Sequence, residues 1–185
     1  MKLTSINNIP LSYIQSILKI DPVSPSGLTW LHRKDVPTEW NTRFANKTAG
    51  CKSTNADGYQ KWGFKITYKG KQKGLLASRV VFLLQNKYLT KGKEVDHVDG
   101  NSLNNNHLNL RESNRFQNAY NSKTSKRNTS GHKGVCWYKT DNKWMVRITK
   151  NGKNHSFGLF VNLDDAIKVA IEARKKLHGT FGRDK

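Results

Sequence analysis

The feature that most constrains the fold is a stretch of eleven residues, 121–131, that contains no apolar side chain. A segment of this composition cannot contribute to a packed core, so we expect a linker that is flexible in isolation. It divides the 185-residue chain into two parts, and each is long enough for a modest core. The sequence therefore predicts two domains, residues 1–121 and 131–185, joined by a basic linker at 122–130.

Net charge limits the partners of this chain. The sequence has 33 Lys and Arg against 13 Asp and Glu, a net charge of +20 at pH 7. Such a chain attracts polyanions, and neutralised phosphates supply most non-specific affinity for nucleic acid. The basic residues are spread over both parts, and no apolar run could span a bilayer, so we expect no membrane partner. Two cysteines without a CxxC pair indicate neither a zinc ribbon nor a disulfide framework.

The sequence pattern of the first part, residues 1–121, predicts short helices and strands. Apolar residues at positions 11, 14, 17 and 18 have helical spacing, and a short strand follows at 28–31. Residues 59–68 and 75–77 predict a β-hairpin with a basic tip. A helix is expected at 80–85, and a buried strand fits the same apolar pattern nearly as well. Residues 32–58 are polar, and we expect them to be irregular.

The second part predicts an α+β unit. Three strand-like runs at 133–139, 143–150 and 153–160 are separated by turn residues, and Asn151-Gly152 is typical of a tight hairpin. A helix is expected at about 163–178, with Asn162 as its N-cap and Gly179 at its end. The predicted fold is a small three-stranded antiparallel sheet plus one helix.

A polar segment between residues 94 and 112 predicts a functional site. Its pattern indicates a strand at 94–98, a polar loop, a strand at 109–112 and then a helix from Asn114, capped by Ser113. On that helix Asn114, Asn118 and Asn121 share one face. Asparagine is a poor choice for stability in the middle of a helix, so three on one face indicate a function.

This segment resembles the ββα-metal motif of HNH endonucleases, in the branch of phage homing endonucleases whose third signature residue is Asn. The resemblance implies a ββα-metal core at about 94–121. It implies Asp96 and Asn118 as metal ligands, His97 as the general base and Asn109 as the residue that fixes His97 and the loop. Asn114 and Asn121 remain open as alternatives to Asn118.

The residue types suit that chemistry. Carboxylate and amide oxygens are ligands that Mg²⁺ or Mn²⁺ prefers, and a neutral imidazole can take a proton from water near pH 7. Arg79 or Arg111 could bind a phosphate oxygen. We expect Asn104, Asn105, Asn106 and His107 to be hydrogen-bonding loop residues rather than ligands. Upstream, segments such as Ala77-Ser78-Arg79 resemble the N-terminal hairpin region of the same phage enzymes.

Residues 131–182 resemble the Apetala-two/ethylene-response-factor DNA-binding domain. The resemblance rests on Lys133-Gly134-Val135, on residues 143–148 and 157–160, and on the helix at 166–173. It implies a sheet that enters the major groove, with Arg147 as the best candidate for a guanine contact. The expected DNA contacts of the sheet are Tyr138, Lys143, Arg147, Thr149 and Lys150. The opposite face, which includes Val135, Trp137, Val146 and Ile148, is expected to pack on a helix face that includes Ala170 and Ile171.

Together these features predict a metal-dependent, site-specific DNA endonuclease of the homing type, an α+β protein that cuts one strand per active site. One alternative is a DNA-binding regulator with a non-cleaving HNH-like domain. A second is an RNA-binding or structural protein, which the major-groove type of sheet disfavours. We expect double-stranded DNA as the partner, no small-molecule cofactor and a monomer. No secretory signal is evident at the N-terminus, so we expect the protein to act in the cytoplasm of a bacterial host.

Overall fold

The structure is a computed structural model that describes residues 1–125 and 127–183. Lys126, in the predicted linker, and Asp184 and Lys185, at the end of the second predicted domain, lie outside the described residues. The chain divides into two compact units, Met1–Glu112 and Ser113–Lys185. The domain boundaries inferred from sequence stay a prediction.

The elements are short and numerous. The α-helices are α1 Leu11–Ile17, α2 Thr38–Phe44, α3 Ala77–Asn86, α4 Arg115–Tyr120 and α5 Leu163–His178. Among the described residues, two 3₁₀ turns occupy His107–Asn109 and Gly179–Phe181. The strands are β1 Lys2–Leu3, β2 Ser5–Ile6, β3 Ile9–Pro10, β4 Leu18–Ile20, β5 Leu28–Trp30, β6 Cys51–Thr54, β7 Gln60–Tyr68, β8 Lys71–Leu76, β9 Leu89–Thr90, β10 Glu94–His97, β11 Leu110–Ser113, β12 Val135–Tyr138, β13 Lys143–Lys150 and β14 Lys153–Phe160.

Helix α3 lies at the centre of the first unit. Its residues Val80, Val81 and Leu83 are fully buried, because five apolar residues in succession give the helix no polar face there. Strands β6, β7 and β8 form an antiparallel sheet whose core-facing residues include Phe64 and Ile66. The predicted hairpin and the predicted helix at 80–85 are both present, the helix with a longer span.

The expectation of irregular structure at 32–58 is wrong in two places. Helix α2 begins after Pro37, whose fixed φ suits a helix start, and its Trp40 and Phe44 lie four residues apart and pack on the core. Strand β6 is exposed along its whole length, so it shows no alternation between apolar and polar residues. Each element is too short and too polar for the periodicity to be visible.

The second unit contains the three-stranded antiparallel sheet β12-β13-β14 with α5 packed against it. The core is formed by Val135, Val146 and Ile148 from the sheet and by Ala166 and Ala170 from the helix. The capping prediction is confirmed, since the Asn162 Oδ1 accepts a hydrogen bond of 2.7 Å from the Asp164 amide. Two residues that were expected in the core are not buried: Ile171 is 38% exposed and Trp137 is 42% exposed.

The predicted α+β class is confirmed by these helices and small antiparallel sheets. Within residues 1–125 and 127–183, no helix has both the length and the apolar character needed to cross a bilayer.

Candidate functional site

Strands β10 and β11 pair and carry the polar loop between them. The Val98 amide donates a hydrogen bond of 2.8 Å to the Asn109 carbonyl, which closes the loop at its base. Successive side chains of a strand point to opposite faces, so Asp96 and His97 diverge. Asp96 is buried, at 5% exposure, whereas His97 is half-buried.

Asp96 is held by an arginine of the next strand. The Nε and Nη2 atoms of Arg111 both lie 2.9 Å from Oδ2 of Asp96. A buried carboxylate needs such a partner, because removing an unpaired charge from water costs several kcal/mol. The structure therefore places Arg111, which we expected to contact phosphate, on the carboxylate that we expected to bind metal.

His97 is oriented by an asparagine of the loop. Its Nε2 lies 2.9 Å from Oδ1 of Asn105, whose Nδ2 donates 3.0 Å to the Ser26 carbonyl. Because the Nδ2 of Asn105 donates to the Ser26 carbonyl, its Oδ1 faces the His97 ring and accepts a hydrogen bond from Nε2. In the neutral ring, Nδ1 is then the nitrogen with the lone pair, which is the atom that a general base requires.

The support for Asn105 comes from the turn at Ser26 and Gly27. Asn105 is 3% exposed, so its amide depends on the Ser26 carbonyl for a partner. Gly27 has φ of +78°, and a Cβ at that position would lie 2.9 Å from the Asn105 carbonyl oxygen. Glycine thus permits the left-handed turn and the close approach of the two segments.

Asn109 hydrogen-bonds to two other residues of the loop. Its Nδ2 donates to Asp99 Oδ1 at 2.9 Å and to the Asn104 carbonyl at 2.8 Å, and its Oδ1 accepts from the Asp99 amide at 3.0 Å. Asn104 Nδ2 donates to Asp99 Oδ2 at 2.7 Å. These bonds fix the loop between β10, which carries Asp96, and the 3₁₀ turn that ends at Asn109.

Asp99 is the acceptor at the centre of this loop. Burial raises the pKa of its carboxyl, but hydrogen bonds from the Asn101 amide, Asn104 and Asn109, together with nearby His97, outweigh burial. The pKa of Asp99 therefore lies below its usual value, and the carboxylate stays ionised at neutral pH.

Helix α4 carries the last residue of the motif and belongs to the second unit. Its N-cap is Asn114 rather than the expected Ser113: Asn114 Oδ1 accepts from the Gln117 amide and Gln117 Oε1 accepts from the Asn114 amide, each at 2.8 Å. Asn121 is the C-cap residue and is 5% exposed. Asn118 lies between them, within the helix.

The residue types that the motif implies as metal ligands suit a hard divalent cation. A carboxylate at Asp96 and an amide oxygen at Asn118 are the ligand types that Mg²⁺ and Mn²⁺ prefer. Across the described parts of the chain, no three His, Cys, Asp or Glu side chains come together as a metal-binding cluster.

The expected DNA contacts divide between the two units. In the first unit, Arg79 is half-buried on α3 and its Nη1 lies 3.4 Å from the Lys93 carbonyl. In the second unit, Lys143, Arg147 and Thr149 alternate along β13 and share one face. Tyr138 pairs directly with Lys143 and so shares that face.

Lys150 has the opposite parity and points to the other side of the sheet. The structure thus brings four of the five expected residues of the sheet to one face.

Sequence comparison identifies the family. A family model described as HNH endonuclease matches residues 75–120, from the end of β8 to the end of α4. The chain is 40% identical to Protein 3.8 of Escherichia phage T7 over 95 residues, which is 51% of this chain and 78% of the relative. No solved structure matches the chain.

Sequence reasoning missed the functional meaning of Ser26 and Asn105. Asn105 is one of several asparagines in the loop, and nothing local marks it as the partner of His97. Its other partner, Ser26, lies 79 residues away. The Ser26-Gly27 turn could be recognised, but not its contact with the loop.

Proposed function

Because this chain belongs to the same family as phage T7 Protein 3.8 and carries an HNH endonuclease domain, we propose that it is a metal-dependent DNA endonuclease of the homing type. The reaction is hydrolysis of a phosphodiester bond that leaves a 5′-phosphate and a 3′-hydroxyl. The observation that carries the proposal is the hydrogen bond between His97 Nε2 and Asn105 Oδ1, which holds the imidazole in one orientation.

His97 is the general base. Asn105 accepts the Nε2 proton, so Nδ1 takes a proton from the attacking water. Asn109 keeps the loop closed, so the ring and the strand that bears Asp96 hold a fixed relation. Positioned general bases contribute about a hundred- to ten-thousand-fold to such reactions.

Asp96 and, by its position in the motif, Asn118 would hold Mg²⁺ or Mn²⁺. Bound there, the cation would stabilise charge on the phosphoryl group and on the leaving 3′ oxygen. Arg111 neutralises the Asp96 carboxylate and holds it in one orientation.

The substrate is double-stranded DNA in the cytoplasm of the bacterial host. The exposed face of the C-terminal sheet reads the major groove, with Arg147 toward guanine and with Tyr138, Lys143 and Thr149 around it. Arg79 and Lys150 supply phosphate contacts. The protein acts as a monomer, and one active site cuts one strand, so the expected product is a nick.

A DNA-binding regulator is the second candidate. The observation that favours it is the ion pair between Asp96 and Arg111, because that carboxylate already has a cationic partner. In a regulator the pair would be permanent and structural.

A plasmid relaxation assay separates the two functions. Supercoiled DNA carrying the target region should be nicked in Mg²⁺ or Mn²⁺, and EDTA should stop the reaction. A gel shift in EDTA with no nicking in either metal would support the regulator. Neither a shift nor a nick would contradict both.

A further inference from the structure

Tyr120, the last residue of α4, is fixed by the C-terminal sheet and helix. Its ring stacks on the imidazole of His178, with centroids 3.8 Å apart and planes within 5°. Its hydroxyl donates to Asn151 Oδ1 at 3.1 Å and accepts from the Asn151 amide at 2.7 Å. The Tyr120 carbonyl accepts from Lys133 Nζ at 3.2 Å. One residue thus joins α4 to α5 and to the β13–β14 turn.

His178 is itself held in place. Its Nε2 lies 2.9 Å from the Thr149 carbonyl, which can only accept, so Nε2 is the donor. The ring therefore links the end of α5 to β13 on one side and stacks on Tyr120 on its face. Tyr120 rests on a fixed surface rather than on a mobile side chain.

Asn118 lies on one face of α4, and the residues that pack this helix against the rest of the second unit lie on the opposite face. Phe116 and Tyr120 are four residues apart and share a face. A Cβ at Gly152, in the same β13–β14 turn, would lie 3.8 Å from Phe116, so this face meets the turn. Asn118 is two positions from each, about 200° around the helix, and points away from the docked face.

We propose that Tyr120 is a positioning residue for the nuclease reaction. Through His178 and Asn151 it attaches the helix that carries Asn118 to the DNA-reading sheet, so the C-terminal module sets the orientation of the last motif residue. This inference rests on the proposed nuclease function. If the polar segment at 122–130 were the only connection between α4 and the C-terminal sheet, substitution of Tyr120 would have no effect on cleavage.

The experiment compares four variants of the full-length protein. Tyr120→Ala removes the stack and both hydroxyl bonds, Tyr120→Phe keeps the stack, and His178→Ala removes the stack from the partner's side. Tyr59→Ala, at a tyrosine that is 53% exposed in the first unit, is the matched control. Nicking gives kcat and KM, fluorescence anisotropy in EDTA gives DNA affinity, and circular dichroism checks folding.

We expect Tyr120→Ala and His178→Ala to lower kcat by about ten- to a hundredfold, since a small misplacement of a reacting group can cost about a hundredfold. KM and DNA affinity should stay within about twofold, Tyr120→Phe should recover most of kcat, and Tyr59→Ala should match wild type. A folded Tyr120→Ala protein with wild-type kcat would overturn the inference. Equal losses of affinity and cleavage would also overturn it, because Tyr120 would then serve binding or folding alone.

Amide hydrogen exchange tests the attachment without catalysis. Residues 115–120 should lose protection in Tyr120→Ala and His178→Ala but retain it in Tyr120→Phe and in Tyr59→Ala. If the wild-type protein does not cleave DNA, the proposed function fails, and exchange still decides whether Tyr120 anchors α4. Unchanged protection in Tyr120→Ala would contradict the anchor in either case.

Discussion

His97 Nε2 lies 2.9 Å from Asn105 Oδ1, so the orientation of the proposed general base depends on a loop side chain rather than on the strand alone. Asn105 is in turn fixed by the Ser26 carbonyl. The chain of bonds runs from an N-terminal turn to the imidazole, and each link is buried or half-buried.

Asn105→Ala should slow cleavage and destabilise the protein. The ring loses its acceptor and the buried Ser26 carbonyl loses its donor, which costs about 1–3 kcal/mol of unfolding free energy. We expect nicking to fall at least tenfold at saturating DNA. Asn106→Ala, at an exposed neighbour that caps the 3₁₀ turn, is the control and should keep the wild-type rate. Equal rates for the two variants would contradict the role of Asn105.

His97→Ala and Asp96→Asn should fail in different ways. The first removes the base, so cleavage should fall by about a hundred- to ten-thousand-fold while Mn²⁺ binding survives. The second removes the charged ligand at nearly constant volume, so Mn²⁺ affinity, measured by calorimetry, should fall together with cleavage. A folded His97→Ala protein that nicks at the wild-type rate would mean that the base lies elsewhere.

Sequence patterns predicted most of the second unit because its signals are local. The Asn151-Gly152 turn, the Asn162 cap and the alternation along β13 each act over a few residues. The cap of α4 was assigned one residue too early: Ser113 was expected, whereas Asn114 and Gln117, three residues later, form the capping box.

The residues of the candidate site follow from a resemblance, but the contacts between them do not. The resemblance to the HNH motif implies Asp96, His97 and Asn109, whereas the pairing of Arg111 with Asp96 depends on the register of two strands. The contact between Asn105 and Ser26 depends on tertiary packing across 79 residues. Such contacts leave no periodic trace in a single sequence.

Arg111→Gln should destabilise the apo protein and make its stability respond more strongly to metal. Removing the guanidinium leaves the Asp96 carboxylate buried beside a neutral side chain, which costs about 3–5 kcal/mol for a buried pair. A divalent cation that binds Asp96 would restore a counter-charge. Thermal melts should therefore show a larger rise in Tm on adding Mn²⁺ for Arg111→Gln than for wild type. An equal rise in both proteins would argue against Asp96 as a metal ligand.

Arg147→Ala should weaken DNA binding more than removal of a charge elsewhere on the same unit. A bidentate guanine contact contributes about 1–3 kcal/mol, so affinity should fall about tenfold or more and site preference should relax. Lys168→Ala removes the same charge from an exposed position on α5 and is the matched control. Comparable losses in the two variants, measured by anisotropy at one salt concentration, would mean that the sheet contributes charge alone.

The stability of the second unit should fall in mild acid because of His178. Burial is the main cause that lowers the pKa of this imidazole below 6.5, the hydrogen bond to the Thr149 carbonyl opposes it, and the charges of Arg174, Lys133 and Lys150 lower it further. Well above pH 6.5 the ring is neutral in both states and adds no pH dependence. As the pH falls through 6.5 the unfolded chain binds the proton more readily, so the unfolding free energy decreases until the pH passes the folded pKa.

Urea titrations between pH 8 and pH 5 should show this decrease. They are followed by the fluorescence of Trp137 and Trp144 in a variant whose other tryptophans are replaced by phenylalanine. His178→Gln should remove most of the slope in that window, and an unchanged slope would assign it to another group.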